Sequence, residues 1–244
     1  MVAGKAMKIR IKFRKYGVMK YVGHLDMMRY FQKSIRRAGL DICYSEGFHP
    51  HMIMSFALPL GVGLISDGEY LDIAVNSTDS SRASVDALNA QMADGVEILS
   101  YRALPDDAKN AMSIVAACDY LYLYNREADH PGAAVLRERL VQYYDTRESI
   151  PVEKKTKKST RMVDLKPLIH QIRIVEEDAV CGFYLHLSAG SVENIKPELV
   201  LKDFFHYFGE DFDPFAFVRK RVDVYAERDG DFVPLDAFGL KIGD

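Results

Sequence analysis

The chain of 244 residues predicts an α+β protein of two ferredoxin-like halves, each β-α-β-β-α-β, the second elaborated around a basic loop. Two observations carry this expectation. Alternating apolar runs and helical stripes follow one another as strand, helix, strand, strand, helix, strand over residues 8–104. The same order recurs over residues 116–226, around an added basic segment at 153–173. LPDDAKN at 104–110 is polar and turn-rich, which marks a linker. The expected domains are therefore 1–109 and 110–244, the second carrying the basic loop 153–173 and a C-terminal tail.

Lys8–Lys15 (KIRIKFRK) alternates strictly, with Ile9, Ile11 and Phe13 on one face and cations on the other. That is a half-buried strand whose charged face meets water or phosphate. A helix follows from His24. Asp26 in its first turn suits the positive end of the helix dipole. Leu25, Met28, Phe31, Ile35 and Ala38 are expected to face the core. Arg29, Lys33 and Arg36 line the outer face, and Gly39 supplies a left-handed stop. Next, DICYSEG and MIMSFALPL read as one strand interrupted at Gly47–Pro50. GEYLDIAV is a strand, Ser81 to Met92 a helix, and VEILSYRAL the closing strand.

In the second half AACDYLYLY is a strand and Pro131 to Tyr144 a helix. The run KKTKKSTR at 154–161 has the character of a hairpin tip, and Val163–Glu176 returns as extended chain. GFYLHL is a strand, Pro197–Phe208 a helix, and FVRKRVDVYA a strand. Residues 228–244 carry no clear pattern. The two halves show no sequence repeat, so their kinship rests on element order alone.

Composition is that of an ordinary globular protein, 48% hydrophobic and 27% charged. No apolar run approaches the roughly 18 residues that span a bilayer, and the first residues lack a secretion-signal core. Cys43, Cys118 and Cys181 are three, far apart, with no CxxC pair. A reducing cytoplasm is expected, with no disulfide framework, no self-contained iron–sulfur site and no membrane partner. The net charge of −3 hides a strong asymmetry. Residues 1–40 carry eleven Lys/Arg against Asp26 alone, and residues 153–173 carry seven against Glu153 and Asp164. Two basic patches on an acidic body point to a polyanion such as RNA; solvated strand and helix faces are the plainer alternative.

The polar side chains crowd around the first helix and the loop after it: His24, Asp26, Ser45, Glu46, His49, His51 and Ser55. His24 and His51, with Asp26, are candidates for acid–base chemistry on RNA without a metal, because histidine titrates near neutral pH. A zinc site would need further ligands and a supporting shell that the spacing does not supply, so no metal and no cofactor is expected. There is no GxSxG elbow and no Walker lysine loop. Tyr120, Tyr122 and Tyr124 alternate on one strand face and would either stack bases or pack in the interior. Lys154, Lys155, Lys157, Lys158 and Arg161, among hydroxyls and with no acid, form a candidate phosphate clamp, and Arg29, Lys33 and Arg36 belong to a second, separate basic patch expected to act with it.

GHLDMMR, RRAGL, YSEGFHPHMIMSFALPLGVG and GEYLD occur in that order, and RMVDLKPLI and KPELVL follow. In these stretches the chain resembles the radical-SAM-linked protein family, of unknown function. Its members are encoded beside, or fused to, a B12-binding-type radical SAM protein. His24, Asp26, Arg29, Ser45, Gly47, Pro50, His51 and Ser55 match the family pattern. Gly23 stands where the family usually has serine, and His49, Met52 and Ile53 depart from its loop. The resemblance implies a radical SAM partner and, less directly, RNA-related modification; it supplies no catalytic residues. The paired ferredoxin-like layout is also similar to that of CRISPR repeat-processing endoribonucleases, an analogy of fold alone.

The expected function is an accessory RNA-binding module that presents RNA to a radical SAM protein. A metal-independent ribonuclease or RNA-modifying enzyme centred on His24 and His51, and a protein-interaction subunit without RNA binding, are the alternatives.

Overall fold

A computed structural model describes residues 6–155, 159–178 and 180–243. It is α+β, and its contacts divide the chain into two units, 1–116 with 223–244, and 117–222.

The first unit begins with β1 (Met7–Lys15) and α1 (His24–Arg37), then β2 (Asp41–Ile42), β3 (Met54–Phe56), β4 (Ile65–Ser77), α2 (Ser81–Asn89), β5 (Val96–Ala103) and the single turn α3 (Ala111–Ile114). β1 lies antiparallel between β4 and β5, and β2 and β3 both pair with β4. Counting β2 and β3 as one interrupted strand gives the sheet order fourth–first–third–second of a ferredoxin-like fold. The interruption is an excursion of residues 44–52, closed by the Tyr44–Met52 bridge and by Ile53 N–H donating to Cys43 O at 2.9 Å.

The apolar face of β1 behaves as its alternation predicts. Ile9, Ile11 and Phe13 join Phe31, Ile35, Leu71, Ile73 and Leu88 in one core. Phe13, Phe31 and Phe56 meet edge to face or tilted at 4.7–5.9 Å, geometry that adds to the burial energy. Gly39, at φ +73°, ends α1 as expected.

Leu25 corrects the helical stripe: it is 67% exposed, and Met27 takes the core position. At about 100° per residue, His24 lies within about 20° of Phe31 around the helix, whereas Leu25 is about 120° away. Leu25→Ser is therefore expected to change stability by no more than about 0.5 kcal/mol, whereas Phe31→Ala costs about 3–5 kcal/mol. Urea unfolding of the two variants checks the contrast, and equal losses would contradict the placement.

The charged face of β1 is not free for phosphate. Fully buried Arg10 grips Asp72 through two bonds of 2.7 and 2.9 Å and donates to Leu235 O and Lys109 O. Lys12 pairs with Asp223 at 2.6 Å, and Arg14 with Asp67 at 2.9 Å. Lys8 bonds the carbonyls of Asp106 and Ala108.

These bonds explain why residues 223–244 group with the first unit and not with the half 110–244 expected from the linear sequence. Buried Arg10 and half-buried Lys12 draw Leu235 O and Asp223 to the sheet. Tyr70 hydroxyl donates to Asp223 at 2.7 Å, and burial, then that carboxylate, push its pKa well up. The tail also caps the edge: Ala103 and Leu240 exchange backbone bonds of 2.9 and 2.8 Å, and Ser81 N–H donates to Ile242 O. This isolated bridge covers the Ala103 end of the β5 edge.

The second unit holds most of β6 (Val115–Tyr124), then α4 (Ala133–Leu140), β7 (Pro151–Lys155), β8 (Thr160–Asp164), β9 (Ile169–Glu177), β10 (Val180–Ser188) and α5 (Pro197–Tyr207). β11 (Phe217–Arg228) crosses the boundary at 222/223 and turns back into β12 (Asp231–Pro234). β10 pairs antiparallel with β6 and β9, and β11 neighbours β6, which repeats the fourth–first–third–second order. β7 and β8 form the basic hairpin as an insertion between the first helix and second strand of that unit. Phe183 meets Phe204 and Phe205 of α5 at 5.2 and 6.0 Å, the centre of its core.

Candidate functional site

α1 turns His24 toward the core, where its ring meets Phe56 edge-on at 5.2 Å. There it lines a small pocket with Phe13, Lys15, Met27, Leu60 and Glu69. Lys15 Nζ donates to Val22 O at 2.7 Å, which ties the strand to the chain entering α1. The pocket holds about 20 Å³, room for about one water and no substrate. Asp26 faces outward and meets Arg29 at 3.4 Å on the exposed helix surface.

His51 belongs to the excursion 44–52. Its Nδ1 lies 2.8 Å from Ser45 Oγ, and its backbone N–H donates to the same oxygen at 3.1 Å. Ser45 N–H returns a bond to His51 O at 2.8 Å. The three bonds close the tip as a small loop. Gly47, at φ +105°, makes a turn that L side chains rarely adopt. Pro50 is exposed, and Phe48 projects at 100% exposure. Ser55 sits half-buried in β3, opposite Asp72 of β4. No hydrogen bond, ion pair or ring contact joins His51 to His24 or Asp26 among the described residues. The structure brings His51 to Ser45 and His24 to Phe56.

The candidate phosphate ligands fall into two groups. On α1, Arg29, Lys33 and Arg36 are exposed. The side chains of Lys33 and Arg36 have no hydrogen bond or ion pair among the described residues, and that of Arg29 has only the long contact to Asp26. On the hairpin the cations are largely engaged. Lys154 bonds Glu193 and Asn194 O, and Arg161 bonds Glu193 at 2.5 Å. Lys154, helped by Arg161, holds the Glu193 carboxyl below the usual carboxylate range. Lys155 pairs with Glu153 at 2.9 Å. Lys157 and Lys158 lie outside the described residues.

The tyrosine stripe is interior and offers no platform for bases. Tyr120, Tyr122 and Tyr124 are 4%, 0% and 5% exposed. Their face of β6 packs under α5, where Tyr122 hydroxyl donates to Glu198 at 2.8 Å, and Tyr124 stacks on His130 at 4.6 Å.

A polar cluster that sequence reading missed lies on the opposite face of the same sheet. Register places His186 of β10 against Asp119 of β6, and Asp119 bonds His186 Nδ1. An irregularity in the β9–β10 pairing brings His170 into ring contact with His186 at 5.3 Å and onto Ser188 Oγ at 2.9 Å. Tyr184, held up to about 12 by burial and then by Asp119, completes that face. The available signal was the alternation of Tyr184, His186 and Ser188 within an apolar strand. Their partners, 67 and 18 residues away, carry no local mark.

No group of three or more His, Cys, Asp or Glu is placed to hold a metal among the described residues, and none of the described helices is long and apolar enough to cross a membrane. No curated protein matches the chain. A solved structure of a Cbf5-Nop10-Gar1 complex is similar over 91% of this chain and 50% of that one, at 11% identity and a TM-score of 0.47, so the chain spans about half the length of its match. A family model described as "uncharacterized protein conserved in bacteria" matches residues 8–197. The chain, matched over most of its length by that model, belongs to the DUF2344 family of uncharacterized bacterial proteins.

Proposed function

We propose that this chain is a cytoplasmic accessory module that binds RNA on the outer face of α1 and presents it to a partner radical SAM protein. One observation supports RNA binding above the rest. The cations of β1 are tied to internal partners, yet Lys33 and Arg36 stand exposed and unpaired beside Arg29 on a single helix face. Positions 29, 33 and 36 span about 10 Å of helix, which suits a run of backbone phosphates. The radical SAM partner follows from the family resemblance, and on this reading adenosylmethionine, the cluster and cobalamin reside in that partner.

The test is affinity for a structured RNA at several salt concentrations. Each phosphate contact released should lower the salt slope by about 0.7–0.9. Arg29→Gln/Lys33→Gln/Arg36→Gln should therefore flatten the slope by about 2–3 with the fold intact. Lys154→Gln, whose cation is already held by Glu193, should do less. An unchanged slope in the triple variant, or no binding by the wild type at low salt, rejects the reading.

A second reading, docking of a protein without RNA, has its own observation. Val18, Tyr21, Leu25 and Val62 are 58–75% exposed around the entry to α1. The loop carrying Val62 is bound there by Gly63 N–H donating to Lys20 O at 2.8 Å. If RNA binding fails, this apolar entry becomes the leading functional surface. An activity centred on His24 and His51 would show as turnover lost in His24→Ala and His51→Ala with RNA affinity retained.

A further inference from the structure

We infer that the cleft between α2, β5 and the C-terminal segment binds one nucleotide, with its phosphate on Arg82, Lys241 and Arg102 and its base against Val85 and Leu99. The cleft is lined by Ser81, Arg82, Val85, Leu99, Ser100, Tyr101, Arg102 and Lys241 and has a volume of about 360 Å³. That size falls within the range of small-ligand sites. Its lining holds three cations and no carboxylate.

Each cation has capacity to spare. Lys241 is exposed and makes no hydrogen bond or ion pair among the described residues. Arg82 is 85% exposed at its side chain, and its one ion-pair partner among the described residues, Asp86, stands 4.0 Å away. Arg102 donates a long bond of 3.4 Å to Gly239 O and stands 4.0 Å from Asp236. Its buried Nε faces Asp236, so what Arg102 offers the cleft is the charge of its guanidinium and not this N–H. Asp86 and Asp236, the ion-pair partners of Arg82 and Arg102, do not line the cleft. The first turn of α2 adds the positive end of its dipole on the same side.

The walls argue for a nucleotide over a bare anion. Leu99 is 42% exposed and lines the cleft with Val85, an apolar surface that a phosphate alone would leave wet. The hydroxyl-bearing residues are mostly committed elsewhere. Ser81 Oγ donates to Tyr101 O at 2.6 Å, Tyr101 hydroxyl sits 2.8 Å from Thr78 Oγ1, and Ser100 Oγ donates to Asp236 at 3.4 Å. Recognition therefore falls to the charges and the apolar wall, which favours phosphate and ring over sugar hydroxyls. This site is separate from the α1 face and stands or falls independently of it.

The experiment is titration of the full chain with adenosine monophosphate, inorganic phosphate, adenosine and a short single-stranded RNA, followed by calorimetry and by backbone amide shifts. Adenosine monophosphate should bind with a dissociation constant of about 1 mM or tighter and shift the amides of residues 81–85 and 99–102. Inorganic phosphate should bind more weakly, and adenosine should not bind measurably. Arg82→Gln/Lys241→Gln, at two exposed positions that leave the fold intact, should weaken the nucleotide at least about tenfold, because charge-assisted bonds to phosphate are the strong ones. Leu99→Ala should reduce the preference for the nucleotide over phosphate. If RNA binds the cleft in competition with the mononucleotide, the ligand is a unit of an RNA chain; if only the mononucleotide binds there, it is a free nucleotide. Lys33→Gln/Arg36→Gln should leave nucleotide affinity unchanged, which separates this site from the α1 surface. Absence of binding by the wild type at about 5 mM nucleotide, or equal affinity in Arg82→Gln/Lys241→Gln, overturns the inference.

Discussion

Replacing Arg10 with methionine is expected to destabilise the protein by about 3–5 kcal/mol, because it removes one partner of a buried ion pair and leaves the other without its countercharge. Arg10 is fully buried and Asp72 13% exposed at its side chain, so water cannot replace the guanidinium. Four bonds are lost together: two to Asp72 and one each to Leu235 O and Lys109 O. Arg10→Met/Asp72→Leu should recover part of the loss, since an apolar pair no longer buries a lone charge. Recovery should be incomplete, because Ala111 N–H, which donates to Asp72 at 2.7 Å, and Leu235 O would then lack partners. Chemical denaturation of the single and double variants measures both effects. A loss under about 1 kcal/mol for Arg10→Met would mean that the buried pair is not what anchors the tail.

Gly182→Ala is the second large effect, expected at about 3 kcal/mol or more, the upper end of overpacking costs. A Cβ on Gly182 would come within 2.0 Å of Tyr122 O and 2.7 Å of Leu123 Cα. Both obstacles are backbone, so no rotamer change relieves them. β10 would have to move off β6, and that movement reaches further than stability. The same register aligns His186 with Asp119 and Phe183 with Tyr122, so the polar cluster on one face and the aromatic core on the other depend on it. Gly61→Ala provides the control. Its new methyl would stand 3.6 Å from Leu64 Cδ1, an ordinary contact, and the change should stay within about 0.5 kcal/mol. Similar losses in both variants would refute the close-approach argument.

These two expectations bear on function through different routes. Arg10 joins β1 and β4 to the C-terminal segment, and that segment supplies Lys241 to the cleft beside α2. Loss of Arg10 should therefore weaken nucleotide binding together with the fold. Gly182 should affect only what the second unit carries. Comparing ligand affinities at matched stability distinguishes the two.

What the sequence determined by itself is whatever periodicity encodes: the strand β1 from its strict alternation, α1 from its stripe and its glycine stop, the interrupted strand around Gly47, and the basic hairpin. These signals are local, because backbone geometry repeats every 2 or every 3.6 residues and burial imprints that repeat on composition. The orientation of single side chains was less legible. Leu25 reads as part of the core stripe although 100° per residue sets it about 120° from Phe31, whereas Met27, left out of that stripe, is about 40° from it and buried. The tyrosines of β6 likewise alternate whether their face meets solvent or a helix, and α5 decided for burial.

Charge was the least legible quantity of all. The first forty residues look like a polyanion surface when counted, yet Arg10, Lys12 and Arg14 find Asp72, Asp223 and Asp67, the nearest of them 53 residues away along the chain. The same holds for Lys154 and Arg161 with Glu193. Only the tertiary structure decided which cations remain free, Lys33 and Arg36 on α1 and Lys241 at the cleft being examples among the described residues, because electrostatic energy depends on distance through space and a linear sequence records only distance along the chain.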